Sequence, residues 1–260
     1  MKRFVFGALL LCASMLFAQN PFDGTWKISP NDVQFSAKPY DYQVKDGRYI
    51  CSTCVPKIDV KADGTPQPFT GSPYADTISV KLLGDSSIQS STYKGGKLVG
   101  ESTFNVSSDG NTLTITSKDM TAANGQTQTG TGIYQRVGKP PATGNKISGR
   151  WKAEKVENVS SDQLTFTFSG QGDELTYKAG TGESYTAKLD GKDYPYKGDP
   201  GTTSVSLKQI NDRTIEETDK RDGKAIYVTR MTISADGKTM TADGEDKLRG
   251  RSQKWTATKQ

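Results

Sequence analysis

Histidine is absent from all 260 residues, and cysteine occurs only three times. The first absence removes Ser–His and Cys–His nucleophile pairs, histidine acid–base chemistry and the commonest zinc and haem ligation. Any catalysis would have to rest on Asp, Glu, Lys, Tyr or Cys. Also missing are Ser-x-x-Lys, Gly-x-Ser-x-Gly, P-loop and dinucleotide-binding glycine patterns in a strand-to-helix setting. Neither a cofactor nor a metal is expected, and the chain reads as non-enzymatic. Large apolar residues are few, at 33% hydrophobic content. Thin cores are implied, which favours small β-domains rich in turns over one large α/β body. Charge is nearly balanced: 34 Lys and Arg against 29 Asp and Glu give +5, and loss of Lys2 and Arg3 with a leader leaves 5 − 2 = +3. That bias is too weak to point to nucleic acid.

The one long apolar run is Phe4 to Phe17, preceded by Lys2-Arg3 and followed by Ala18. Residues 1–18 read as a signal peptide, although Leu16 at −3 is larger than usual. The run is too short to cross a bilayer comfortably. Cys12, preceded by Leu11, does not fit a lipoprotein site. The mature chain is therefore expected to be exported, periplasmic or extracellular, with no membrane span after cleavage.

Beyond the leader, the chain is one domain written twice. Setting Lys61–Thr114 against Lys188–Thr241 at a constant offset of 127, without a gap, makes about a third of the pairs identical. Asp63-Gly64 matches Asp190-Gly191, Pro68 matches Pro195, and Asp109-Gly110 matches Asp236-Gly237. Two copies of one fold are expected. Residues 138–146, with Pro140-Pro141 between glycines, read as a linker. This gives domain 1 at 19–137 and domain 2 at 147–260, each long enough to fold alone.

Strand patterns dominate both copies. Leu164-Thr165-Phe166-Thr167-Phe168 alternates, and so does Ser204-Val205-Ser206-Leu207. Asp-Gly and Gly-Gly pairs at 12–15-residue intervals mark hairpins, which implies about eight or nine strands per copy. No helical stripe occurs beyond the leader. Each copy is expected to be an antiparallel barrel or a sandwich.

Gly24-Thr25-Trp26 and Gly149-Arg150-Trp151 each open a copy, and Ile133-Tyr134-Gln135-Arg136 closes the first. These features resemble lipocalin-type domains. The resemblance implies a barrel in which the first-strand Trp covers the floor beneath a basic residue of the last strand, so that Trp26 pairs with Arg136. The partner of Trp151 is left open. Phrases such as Ala62–Val80 and Thr186–Pro200 also resemble an uncharacterised family of duplicated, exported bacterial proteins, over nearly the whole mature chain.

Cys51-Ser52-Thr53-Cys54 is the constellation with most chemical potential. A local disulfide in an oxidising compartment is the leading reading. Reversibly oxidised thiols, a metal half-site and intermolecular bonding are the alternatives. Val55 stands where haem attachment needs His, and zinc would need two further ligands. Domain 2 has Lys178 and Thr181 in place of the cysteines, so the fold does not require them. Lys247, Arg249 and Arg251 would share one face of a strand. Phe166, Phe168, Tyr177 and Tyr185 either fill a core or line a cavity. Glu216 and Glu217, adjacent on a strand, face opposite sides. Loops 68–73 and 195–200 could rim a barrel mouth.

Two functions are compatible with this reading. One is a binding module with a small apolar or amphipathic ligand inside each barrel. The other is an envelope interaction protein with filled barrels and no small ligand.

Overall fold

A computed structural model describes residues 20–260; the expected leader, with Cys12, lies outside them. The chain forms two antiparallel, nearly closed barrel-like sheets, one of ten strands and one of eleven. These exceed the expected eight or nine, in part because very short strands, Gln34–Phe35 and Gln67–Pro68, also join the ladders. Among the described residues, helix is limited to the 3-10 turn Pro30–Asp32 and one turn at Ser161–Leu164.

The alternation seen in the sequence builds these sheets directly. In Thr165–Gln171, Phe166 and Phe168 are buried while Thr165 and Thr167, before and between them, are half-buried. The hairpin after Thr214–Arg221 turns at Asp222 and Gly223, with φ of 50° and 76°. Two successive positive φ values match the strand twist and suit Asp-Gly. Closure is completed by irregular bridges, Asp63 to Lys81 in one barrel and Ser184 to Lys197 in the other.

The sheets do not follow the expected domain boundaries. The strand Gly24–Ile28 lies between Thr165–Gln171 and Arg251–Lys259, inside the barrel built by the second half. Reciprocally, Gly149–Glu157 lies between Gln128–Val137 and Tyr40–Lys45, inside the barrel built by the first half. The halves have exchanged their first strands. The division into 19–137 and 147–260 is corrected accordingly. Residues 138–146 are no interdomain linker but the loop of a hairpin within the first barrel. That loop is fastened there: Asn145 Nδ2 donates to Gly84 O at 2.9 Å and Lys146 N donates to Asp85 O at 2.6 Å. The true crossovers are the segments after Ile28 and after Glu157. The reason is physical: the prolines terminate a ladder but do not stop a hairpin from closing around them.

Each barrel keeps its own core. The first packs Tyr42, Tyr49, Ile78, Val80, Ile88, Leu113 and Trp151; the second packs Trp26, Phe168, Leu175, Leu207, Ile215 and Met240. Both interiors are thus largely filled at the tryptophan end.

Candidate functional site

The floor of each barrel is a tryptophan under a cation. Trp151 is fully buried, and its Nε1 donates to Ile147 O at 2.9 Å. The Arg136 guanidinium stacks 4.0 Å from its ring centroid, as its direct cross-strand neighbour. Arg136 also donates to Gly110 O, Ser148 O and Lys146 O. Trp26 repeats this with Nε1 donating to Phe22 O at 2.8 Å, and with Lys259 Nζ 5.5 Å from its ring. Arg136 therefore caps Trp151, not Trp26, because the exchange moves each tryptophan to the other barrel. The glycine two residues earlier has a steric role. A Cβ on Gly149 (φ 139°) would lie 2.3 Å from the Arg136 Nη1, and one on Gly24 (φ 127°) 2.4 Å from the Lys259 Cε. Gly-x-Trp leaves room for the cation. The two tryptophans are fully buried and hold the fold.

Cys51 and Cys54 are joined by a disulfide. Their loop meets the turn after Thr239–Asp246 in the second barrel, where Arg249 donates to Val55 O at 3.3 Å. Lys247 and Arg249 lie in that turn and not in a strand, so the expected basic face does not form. Arg249 is ion-paired with Asp246 at 2.8 Å, and buried Arg251 donates to the carbonyls of Lys38 and Pro39 while stacking 3.8 Å from the Tyr40 ring. The other side of the junction is built alike. The loop after Thr112–Asp119 reaches the second barrel, with Asn124 N donating to Thr181 O at 2.8 Å and Asn124 Nδ2 to Gly180 O at 3.0 Å. Thr181 stands where the first half carries Cys54. One docking position is bridged and its counterpart is not.

Between these contacts, the open ends of the barrels face a shared cleft of about 760 Å3. The first crossover lines it with Val33 and Phe35, and the second with Val159 and Leu164. Ile115, Ser117, Asp119 and Gln128 come from the first barrel; Tyr177, Glu183, Tyr196, Asp199 and Trp255 come from the second. This space draws its lining from both barrels. Of the four aromatics singled out in the sequence, Phe166, Phe168 and Tyr185 are core, and Tyr177 reaches the cleft. The loop 195–200 does rim the opening, through Tyr196, Gly198, Asp199 and Pro200.

Behind the wall formed by Tyr177 and Tyr196 sits a carboxyl pair. Glu217 and Asp219 alternate on Thr214–Arg221 and share the inward face with Ile215. Glu217 accepts a hydrogen bond from the Tyr185 hydroxyl, and Tyr185 stacks on Tyr177 with centroids 5.0 Å apart. Asp219 Oδ1 is buried with no partner. Burial raises both carboxyl pKa values well above the ordinary range, and for Asp219 the charges of Glu217 and Asp199 add to it. Burial likewise raises the hydroxyls of Tyr177, Tyr185 and Tyr196. Neither carboxyl belongs to the cleft lining.

The Glu217–Asp219 pair was readable in principle: Ile215, Glu217 and Asp219 share parity, which marks two acids as inward. Asp119, Gln128 and Trp255 carried no such signal, since distant strands bring them together. No protein family, curated protein or solved structure matches the chain significantly.

Proposed function

We propose that the protein is an exported, non-enzymatic binding module that holds one small amphipathic molecule between its barrels. The observation that carries this reading is the inter-barrel cleft, whose volume of about 760 Å3 suits a small-molecule site. Apolar crossover residues supply its walls, and a few polar groups supply orientation. Export is supported by the leader-like N-terminus and by the Cys51–Cys54 disulfide, a bond of oxidising compartments. The resemblance to lipocalin-type domains supports binding in kind, although the space here lies outside the individual barrels.

Native mass spectrometry of protein purified from its own host tests the proposal. A bound mass released on unfolding is expected, and preparations that are empty throughout would count against it. Trp255 offers a second readout, since a ligand in the cleft should change its fluorescence.

The envelope-interaction reading keeps one specific support. Leu83 and Ile210, equivalent positions before the tips of matching hairpins, are 52% and 43% exposed. Crosslinking from these two positions in intact cells would trap a defined partner if that reading holds.

A further inference from the structure

We infer that the inter-barrel cleft selects an amphipathic organic cation, an amine or quaternary ammonium carrying an apolar part. This rests on the binding reading above and adds the sign of the ligand's charge.

The first observation is an asymmetry of charge. Cationic side chains outnumber anionic ones in the chain, 34 to 29. Yet among the described residues the cleft is lined by Asp119, Glu183 and Asp199 and by no Lys or Arg. These carboxylates are held by neutral donors: Asp119 by Thr121 N and Oγ1, Asp199 by Gly201 N and Thr202 Oγ1, and Glu183 by Thr181 Oγ1. Such bonds keep the oxygens in place but bring no countercharge.

The second observation is independent of the acids. Gln128 is only 3% exposed and lines the cleft. Its Nε2 donates to Gln126 O at 3.2 Å, while its Oε1 has no donor. A buried acceptor without a partner is costly, and an N–H or O–H donor on a ligand would satisfy it, the hydroxyl in the case of choline, whose ammonium has no N–H. The third is the aromatic wall. Tyr177, Tyr196 and Trp255 present the ring type that attracts ammonium groups. An anion would meet repulsion from the carboxylates. A neutral apolar molecule would strip water from them and return nothing.

Three probes of nearly one shape separate the cases by calorimetric titration of the full mature protein: choline, neutral 3,3-dimethylbutan-1-ol and anionic 3,3-dimethylbutanoate. Choline should bind about tenfold or more tightly than the alcohol, and the carboxylate weakest. Glu183→Gln, which retains an acceptor for Thr181, should weaken choline about threefold to tenfold and leave the alcohol unchanged. Equal affinity for all three overturns the charge selection and leaves the binding reading standing. Failure of choline to bind overturns it as well, and only an empty result in native mass spectrometry then removes the binding reading too. Choline affinity untouched by Glu183→Gln in a folded variant places the cation elsewhere and also overturns it. The comparison of probes uses the unaltered protein, so it survives any variant that fails to fold.

Discussion

Arg136 and Trp151 come from opposite sides of the duplication's seam and meet as cross-strand neighbours, the guanidinium 4.0 Å from the ring centroid. The contact ties the end of the first half to the start of the second within one barrel. Arg136→Ala removes a half-buried cation–π pair and leaves the carbonyls of Gly110, Lys146 and Ser148 short of a donor. A loss of about 2–4 kcal/mol is expected in chemical denaturation. Arg136→Lys should fall between, since an ammonium reaches fewer of those oxygens.

Strand exchange makes a prediction that runs against sequence position. Trp26→Ala should cost about 3–5 kcal/mol and loosen the second barrel. Hydrogen exchange should then rise across residues 165–259 more than across 40–137. Trp151→Ala should give the mirror pattern. If each variant loosened its own sequence half, the exchanged topology would be wrong.

The carboxyl pair sets a pH dependence. Folding raises both pKa values from the ordinary 4.5 and 3.8 to about 7 for Glu217 and about 8 for Asp219. A raised carboxyl is a proton bound more tightly in the folded state, so stability is fullest below the unfolded values. It declines as pH rises through the folded ones. The two titrate as a coupled pair. Melting temperature should fall between about pH 5 and pH 8, and the double variant Glu217→Gln, Asp219→Asn should flatten that decline.

At Gly182 the second barrel meets the main chain of the first. The glycine φ is 103°, and a Cβ there would lie 2.6 Å from the backbone N of Asn124. Gly182→Ala meets both a strained backbone and a neighbouring main chain. A loss of about 1–3 kcal/mol is expected, with weaker ligand binding, because the loop that closes one side of the cleft must shift.

Replacing both Cys51 and Cys54 by Ser should leave the fold intact. The bridge spans a sequence separation of three, so it restricts the unfolded chain little. A cost below about 2 kcal/mol is expected from thermal unfolding, and the counterpart turn at Thr181 holds its docking position without a bridge.

The strands themselves were legible in the residues. Alternating burial in Thr165–Gln171 and Asp-Gly turns such as Asp222-Gly223 are local properties, decided by side-chain alternation and by which residues accept positive φ. The duplication and the short Cys51–Cys54 spacing came from the same kind of reading, whereas a tryptophan floor under a cation is what the resemblance to lipocalin-type domains implies. Which tryptophan closes which barrel did not. Gly24-Thr25-Trp26 and Gly149-Arg150-Trp151 offer nearly the same edge and the same plug, so no nearest-neighbour preference separates the two pairings. Only the tertiary structure decides, because the segments after Ile28 and Glu157 run across the junction where they could have turned back. The cleft is a product of that crossing. Its lining converges from both halves, far apart along the chain, and a pattern read residue by residue carries no information about such convergence.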